Sequence, residues 1–136
     1  MNFREYITQG FVFLDGATGS NLQEHGMQAG DCPETWILEH PDVFVELQKG
    51  YIQAGSDVLY APTFTCNRIK LAEYGLEERL EEMNAELVGL SRRAIEESGT
   101  TRQIYIAGDM TMTGEQLYPM GTLAFEELVD VYKEQV

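Results

Sequence analysis

The chain has 136 residues, 43% of them hydrophobic, which is enough for one soluble globular domain with its own core. Its formal net charge is −14, from 9 basic and 23 acidic residues, and this charge opposes binding to nucleic acid or to an anionic membrane. No apolar run approaches the ~20 residues of a membrane span, and Met1–Gln9 is too polar for a signal peptide. Because Cys32 and Cys66 form no Cys-x-x-Cys pair, we expect no disulfide framework and a cytoplasmic location.

The first apolar run, Phe11–Leu14, leads directly into Asp15 and Gly16. A run that is short, bulky and unalternating predicts a strand buried on both faces, with Asp15 at its carboxyl end. Gly16 and Gly19 allow a sharp turn and the close approach of a ligand to the backbone. Because parallel α/β folds bind ligands at the carboxyl ends of their strands, we expect Asp15 to take an ammonium group and the backbone amides a carboxylate. The alternative is an Asp-capped turn that binds nothing.

Helices and strands alternate along the rest of the chain. The apolar runs predict strands at 57–61 and 103–109. Helical spacing and end signals predict helices at 2–9, 21–25, 34–39, 41–54, 68–74, 77–98 and 125–136. The connections are long enough for right-handed crossovers, so the strands should be parallel. No linker or low-complexity tract interrupts the sequence, which predicts one unit over 1–136. The last helix reaches the end of the sequence without a stop signal, as expected of a chain cut off inside a larger architecture.

Each predicted strand ends in polar residues, and these ends converge on one face of a parallel sheet. The groups concerned are Asp15, then Thr63, Thr65, Cys66 and Asn67, then Asp109, Thr111 and Thr113. Two acids, several hydroxyls and free backbone amides suit a small zwitterionic ligand. Asp109 fits a ligand-binding role and a role as a turn cap equally well. Cys66 is expected to be a small buried thiol. His25 and His40 are isolated and form no metal-binding pair.

The segment Leu14–Ser20 resembles the first strand of the homocysteine S-methyltransferase family. That family includes the amino-terminal module of cobalamin-dependent methionine synthase. The resemblance continues in register and spans nearly all of the chain, through Pro41–Val43, Tyr51–Val58, Thr63–Phe64, Leu71–Glu77, Gly108–Asp109, Thr113–Gly114 and Phe125–Glu127.

The resemblance implies an α/β fold, namely the first three to four parallel units of a (β/α)8 TIM-type barrel. It implies homocysteine, or a similar small amino acid, as the substrate. The substrate-binding residues that we expect at the strand ends are Asp15, Gly16, Ala17, Thr63 and Asp109. It also implies a zinc ion, held by cysteines of the complete family domain, that activates the substrate thiol as a thiolate. Cobalamin or methylfolate would act through other domains.

The chain departs from the family pattern in ways that limit this expectation. The family's zinc cysteines come from later strands and have no match here, so we assign no metal ligand and no catalytic residue. Pro62 and Thr111–Met112 also differ from the usual family residues. We therefore expect a methyltransferase module present as a truncated, substrate-binding half that is inactive alone. The alternative is a non-catalytic binding or assembly subunit with the same half fold. Uncovered strand edges predict self-association or pairing with a carboxyl-terminal half.

Overall fold

The computed structural model describes residues 1–136 and has a mixed α/β architecture with parallel strands. Seven helices and two strands follow one another, together with a 3-10 helix at Glu77–Arg79. In chain order they are α1 (Phe3–Tyr6), α2 (Gly19–Glu24), α3 (Pro33–Glu39), α4 (Pro41–Ala54), β1 (Val58–Ala61), α5 (Arg68–Ala72), α6 (Leu80–Ser98), β2 (Tyr105–Gly108) and α7 (Phe125–Gln135). None of the helices has the length and apolarity needed to cross a membrane.

The sheet is parallel, as the long connections predict. β1 pairs with β2 in a register that places Val58 opposite Tyr105 and Ala61 opposite Gly108. On the other side of β1, Leu14 forms a single parallel bridge with Val58, and the Asp15 N–H donates to the Val58 carbonyl at 3.0 Å. The chain therefore runs in the same direction three times across the sheet, and its polar strand ends face the same way.

The prediction that Phe11–Leu14 is a strand buried on both faces is wrong. The segment makes one bridge and no regular ladder, and the side chains of Phe11 and Phe13 are 93% and 63% exposed. The physical reason is its position at the edge of the sheet. α6 packs against β1 and β2, whereas the edge segment keeps solvent on its side chains.

Helix α4 follows its local sequence signals closely. Pro41 occupies the first helical position, and Gly55 ends the helix in the left-handed conformation at φ 113°, where a β-carbon would be strained. α4 packs against α6, and Phe44 of α4 and Leu87 of α6 are fully buried in the main apolar cluster. A smaller cluster of Ile52, Leu59 and Ile104 joins α4 to the sheet.

Other elements are present with shifted boundaries. The lead-in helix stops at Tyr6 rather than continuing to Gln9, and α2 begins at Gly19, two residues before its predicted start. Residues 77–79 form a 3-10 turn before α6, and β2 covers only the centre of 103–109. Such shifts are common, because end residues have few hydrogen bonds and neighbouring loops decide where a ladder stops.

The amino-terminal end of the sheet is closed by α1. The buried Asp57 carboxylate accepts hydrogen bonds from the Tyr6 hydroxyl (2.9 Å), the Phe13 N–H (3.0 Å) and Arg102 Nη1 (3.2 Å). The Tyr6 ring also packs on Tyr105, with centroids 5.1 Å apart. The opposite end of the sheet, where Asp15 lies, carries the polar strand ends.

Candidate functional site

A cavity of about 400 Å³ opens at the carboxyl ends of the strands. Three of the predicted site residues, Asp15, Gly16 and Asp109, line it together. The remaining lining residues supply an apolar wall and a glycine turn: Thr18, Gly19, Leu22, Met27, Pro33, Tyr60 and Phe64. The cavity therefore brings together two carboxylates from different segments of the sheet and a short glycine-containing turn.

Asp15 is held in place by β1. Its Oδ2 accepts a hydrogen bond from the Tyr60 N–H at 3.0 Å, in addition to the bond from its own N–H to Val58. Burial raises the pKa of the Asp15 carboxyl, the hydrogen bond from Tyr60 opposes this, and the negative charge of Asp109 raises it further. Burial also raises the pKa of Asp109. Neither acid forms an ion pair within the protein, so a cation in the cavity would lower the free-energy cost of ionising both carboxyl groups.

The turn after Asp15 is fixed by Tyr51 of α4. The Tyr51 hydroxyl donates to the Ala17 carbonyl at 2.7 Å, and Asn21 Nδ2 donates to the same oxygen at 2.8 Å. A β-carbon at Gly16 would lie only 2.8 Å from the Tyr51 ring, so this position requires glycine or a shift of the ring. The N–H groups of Gly16 and Ala17 donate no hydrogen bond inside the protein and remain free for a ligand.

Thr63 does not line this cavity but a separate one, together with Gly108 and Met110. Its buried hydroxyl donates to the Asp109 carbonyl at 2.9 Å and accepts from the Asp109 N–H at 3.1 Å. This reciprocal pair ties the loop after β1 to the end of β2. Thr63 and Ala17 are not among the residues that line this cavity, although Ala17 follows the lining residue Gly16 directly. Their direct contact with a substrate stays a prediction.

Tyr51 and Glu34 belong to this region although neither is expected there from the sequence. Tyr51 belongs to the apolar stripe of α4, and its hydroxyl reaches the turn only because α4 packs beside it. Glu34 is fully buried next to the loop after β1, although most acids of this chain are solvated. Glu34 follows Pro33 directly in the first turn of a helix, where glutamates are usually exposed. The local sequence therefore does not predict that Glu34 is buried.

The cysteines and histidines do not form a metal centre. Cys66 is buried as expected, and burial, followed by the nearby Glu34 and Cys32, raises the pKa of its thiol to about 12. The Nδ1 atoms of His25 and His40 lie 2.7 and 2.9 Å from helix carbonyls. Nowhere does the structure bring together three Cys, His, Asp or Glu side chains that could hold a metal ion.

Comparison with known families decides the evolutionary relationship. The family model for homocysteine S-methyltransferase matches residues 12–136, which is nearly the whole chain. The chain belongs to the homocysteine S-methyltransferase family. Among curated proteins, the methionine synthases of Mycobacterium tuberculosis and Mycobacterium leprae are 28% and 27% identical to it, each over 96% of this chain. The chain spans only 11% of the length of either relative.

Solved structures agree on the fold of this methyltransferase family member. The metallated form of the homocysteine methyltransferase MmuM from Escherichia coli superimposes with a TM-score of 0.77 at 19% identity. That match covers 97% of this chain and 51% of MmuM. The oxidised form of MmuM gives a TM-score of 0.68 at 23% identity over 79% of this chain and 40% of that protein. The chain therefore corresponds in fold to about half of a homocysteine methyltransferase.

Proposed function

We propose that this chain is a homocysteine-binding module of a homocysteine S-methyltransferase, with residues 1–136 forming the amino-terminal half of a (β/α)8 barrel. The observation that carries the proposal is the convergence of Asp15 and Asp109 on one cavity beside the free N–H groups of Gly16 and Ala17. Family membership and the methionine synthase relatives supply the substrate class.

The geometry suits the two charged ends of an amino acid. The ammonium group would lie between Asp15 and Asp109, where it compensates two carboxylates that have no positive partner in the protein. The carboxylate would accept hydrogen bonds from the backbone N–H groups of Gly16 and Ala17, which the Ala17 carbonyl's bonds to Tyr51 and Asn21 hold in a fixed turn. The thiol would then extend along the apolar wall, which includes Phe64.

The zinc chemistry implied by the family does not fit the residues present. A catalytic zinc site requires three protein ligands, and the structure brings no such set together. We therefore derive no methyl-transfer step for this chain and propose that it is inactive alone. The alternative is a non-catalytic binding or assembly subunit. An assay of homocysteine methylation by this chain together with a complementing carboxyl-terminal half distinguishes the two. Activity of the combined halves favours the enzyme module.

Calorimetric titration with homocysteine tests the binding proposal. We expect wild-type chain to bind homocysteine more tightly than 4-mercaptobutanoic acid, which lacks the ammonium group. Asp15→Asn should weaken homocysteine binding by about tenfold or more, since it removes a charge-assisted contact, and should reduce this preference. Asp130→Asn, on the exposed surface of α7, is the matched control and should bind as wild type. Equal binding by wild type and Asp15→Asn would contradict the proposed site.

A further inference from the structure

Glu34 is a fully buried acid that neither the family resemblance nor the proposed site explains. It lies in the first turn of α3, and its Oε1 accepts hydrogen bonds from both the N–H and the hydroxyl of Thr65, each at 2.8 Å. Its Oε2 lies 3.6 Å from the Cys32 thiol, which donates to it. No lysine or arginine forms an ion pair with Glu34.

Burying a carboxylate without a cationic partner is costly, and the hydrogen bonds to Thr65 are what offset that cost. These bonds join α3 to the loop 62–67, which follows β1. The residues next to the two partners, Pro33 and Phe64, both line the cavity that contains Asp15 and Asp109. The Glu34–Thr65 connection therefore joins the immediate sequence neighbours of two residues in the cavity wall.

The other contacts of the loop 62–67 reach different atoms. Asn84 donates to the Cys66 carbonyl at 2.9 Å, and Gln135 donates to the Thr63 carbonyl at 2.7 Å. Thr111 donates to the Phe64 carbonyl through its N–H at 2.9 Å. These three contacts satisfy carbonyl groups of the loop. The side chains of Thr63 and Asn67 also bond outward, to the backbone of Asp109 and to the Met112 carbonyl. None of these contacts involves the two donors of Thr65, which bond to Glu34. Without Glu34, these two donors lose their acceptor in the protein.

We propose that Glu34 is a positioning residue that fixes the loop 62–67 against α3 and so holds Phe64 in the wall of the substrate cavity. Its effect on the loop is independent of the ligand. Its effect on homocysteine binding rests on the proposed function.

The loop effect is measured by the reactivity of Cys66 with a thiol reagent in a Cys32→Ser background. Cys66 is fully buried and follows Thr65 directly, so it reacts only when the loop opens. We expect Glu34→Ala to react about tenfold faster than the parent, and Glu34→Gln, which keeps an acceptor oxygen, to lie between them. Glu39→Ala, an exposed acid on the same helix, should react as the parent does.

A general loss of stability would also accelerate labelling, so a destabilised variant away from the site is needed. Ile52→Val, in the smaller apolar cluster, serves this purpose. At temperatures equally far below the Tm of each variant, Glu34→Ala should still react faster than Ile52→Val. If Glu34→Ala does not fold, Glu34→Gln is compared with Ile52→Val in the same way. Equal labelling rates in this comparison would overturn the proposal.

Homocysteine titration provides the second readout. We expect Glu34→Ala to weaken binding about tenfold, Glu34→Gln to recover most of this loss, and Ile52→Val to bind as wild type. Unchanged affinity in Glu34→Ala would refute the role of Glu34 in the substrate cavity. If wild-type protein itself fails to bind homocysteine, the proposed function fails, and the Cys66 labelling alone decides the role of Glu34 in the loop.

Discussion

At the residue scale, the site places two acids where neither has a positive partner. The pKa of Asp15 is raised by burial and by Asp109, so its charged form is less favourable in the folded chain than in the unfolded chain. Asp109 is shifted in the same direction by burial. Acids in such surroundings lower the stability of the unliganded protein and favour binding of a cationic group. Such a trade-off between stability and function is common in functional sites.

Replacing Asp15 should therefore stabilise the empty protein while it weakens binding. Because the folded pKa lies above the unfolded value, the contribution of Asp15 to stability is greatest at low pH and is lost as pH rises through the folded pKa. Asp15→Asn keeps an oxygen for the Tyr60 N–H and has no charge. The difference in Tm between Asp15→Asn and wild type, measured from about pH 4 to about pH 8, should be positive and grow with pH before it levels off. A difference that does not depend on pH would refute this account, and Asp130→Asn provides the exposed control.

At the element scale, one buried carboxylate joins the parts of the chain that meet at the amino-terminal end of the sheet. Asp57, just before β1, binds α1 through Tyr6, the edge segment through Phe13 and the loop before β2 through Arg102. Phe13 is largely exposed, and α1 has no buried residue and packs on the sheet through Phe3 and Tyr6 against Tyr105. Their attachment to the sheet therefore depends strongly on this set of hydrogen bonds.

Removal of the Asp57 side chain should destabilise the fold. We expect Asp57→Ala to lower the free energy of unfolding by about 2–3 kcal/mol, since the Tyr6 hydroxyl and the Phe13 N–H lose their acceptor and Arg102 keeps only its bonds to backbone carbonyls. Tyr6→Phe removes only one of these hydrogen bonds and should cause a smaller loss. Tyr118→Phe, on an exposed tyrosine of the loop before α7, should have no measurable effect. Urea denaturation measures all three, and a loss for Asp57→Ala no larger than that for Tyr6→Phe would contradict the central role of Asp57.

At the scale of the whole molecule, the sheet is incomplete as a structural layer. The edge segment has Phe11 and Phe13 exposed, and β2 pairs only with β1, so both sides of the sheet present unpaired strand edges. Natural proteins usually cover or pair such edges. The match to MmuM covers only 51% of that protein, so the MmuM fold includes about as much structure again beyond the part that this chain matches. We propose that a second copy of this chain, or a carboxyl-terminal barrel half, covers these edges.

Purified chain should therefore self-associate. Its net charge of −14 opposes association at low salt, and screening should strengthen it. Light scattering at tens of micromolar, in roughly 50 mM and roughly 500 mM NaCl, should show a larger mean mass at the higher salt. The double substitution Phe11→Ser and Phe13→Ser should reduce the mass toward that of a monomer. A monodisperse wild-type monomer under both conditions would count against the proposal.

Features of the fold that depend on local signals are predictable from the sequence. Pro41 and Gly55 set the ends of α4 through fixed φ preferences, and the alternation of strands and helices required a parallel sheet. The placement of Asp15 and Asp109 directly after apolar runs also predicted that the two acids lie at the same end of the sheet, where they line one cavity. These features depend on neighbours within a few residues of each other, which is why a linear pattern is enough to predict them.

Contacts between groups that are far apart in the sequence are visible only in the folded chain. Glu34 meets Thr65, and Tyr51 meets the Ala17 carbonyl, across separations of 31 and 34 residues. The burial of Phe11–Leu14 was mispredicted for the same reason, because its apolar residues do not reveal whether another layer covers them. Hydrophobic sequence patterns report the tendency of a side chain to leave water, whereas burial and hydrogen-bond partners depend on which elements the complete fold places beside it.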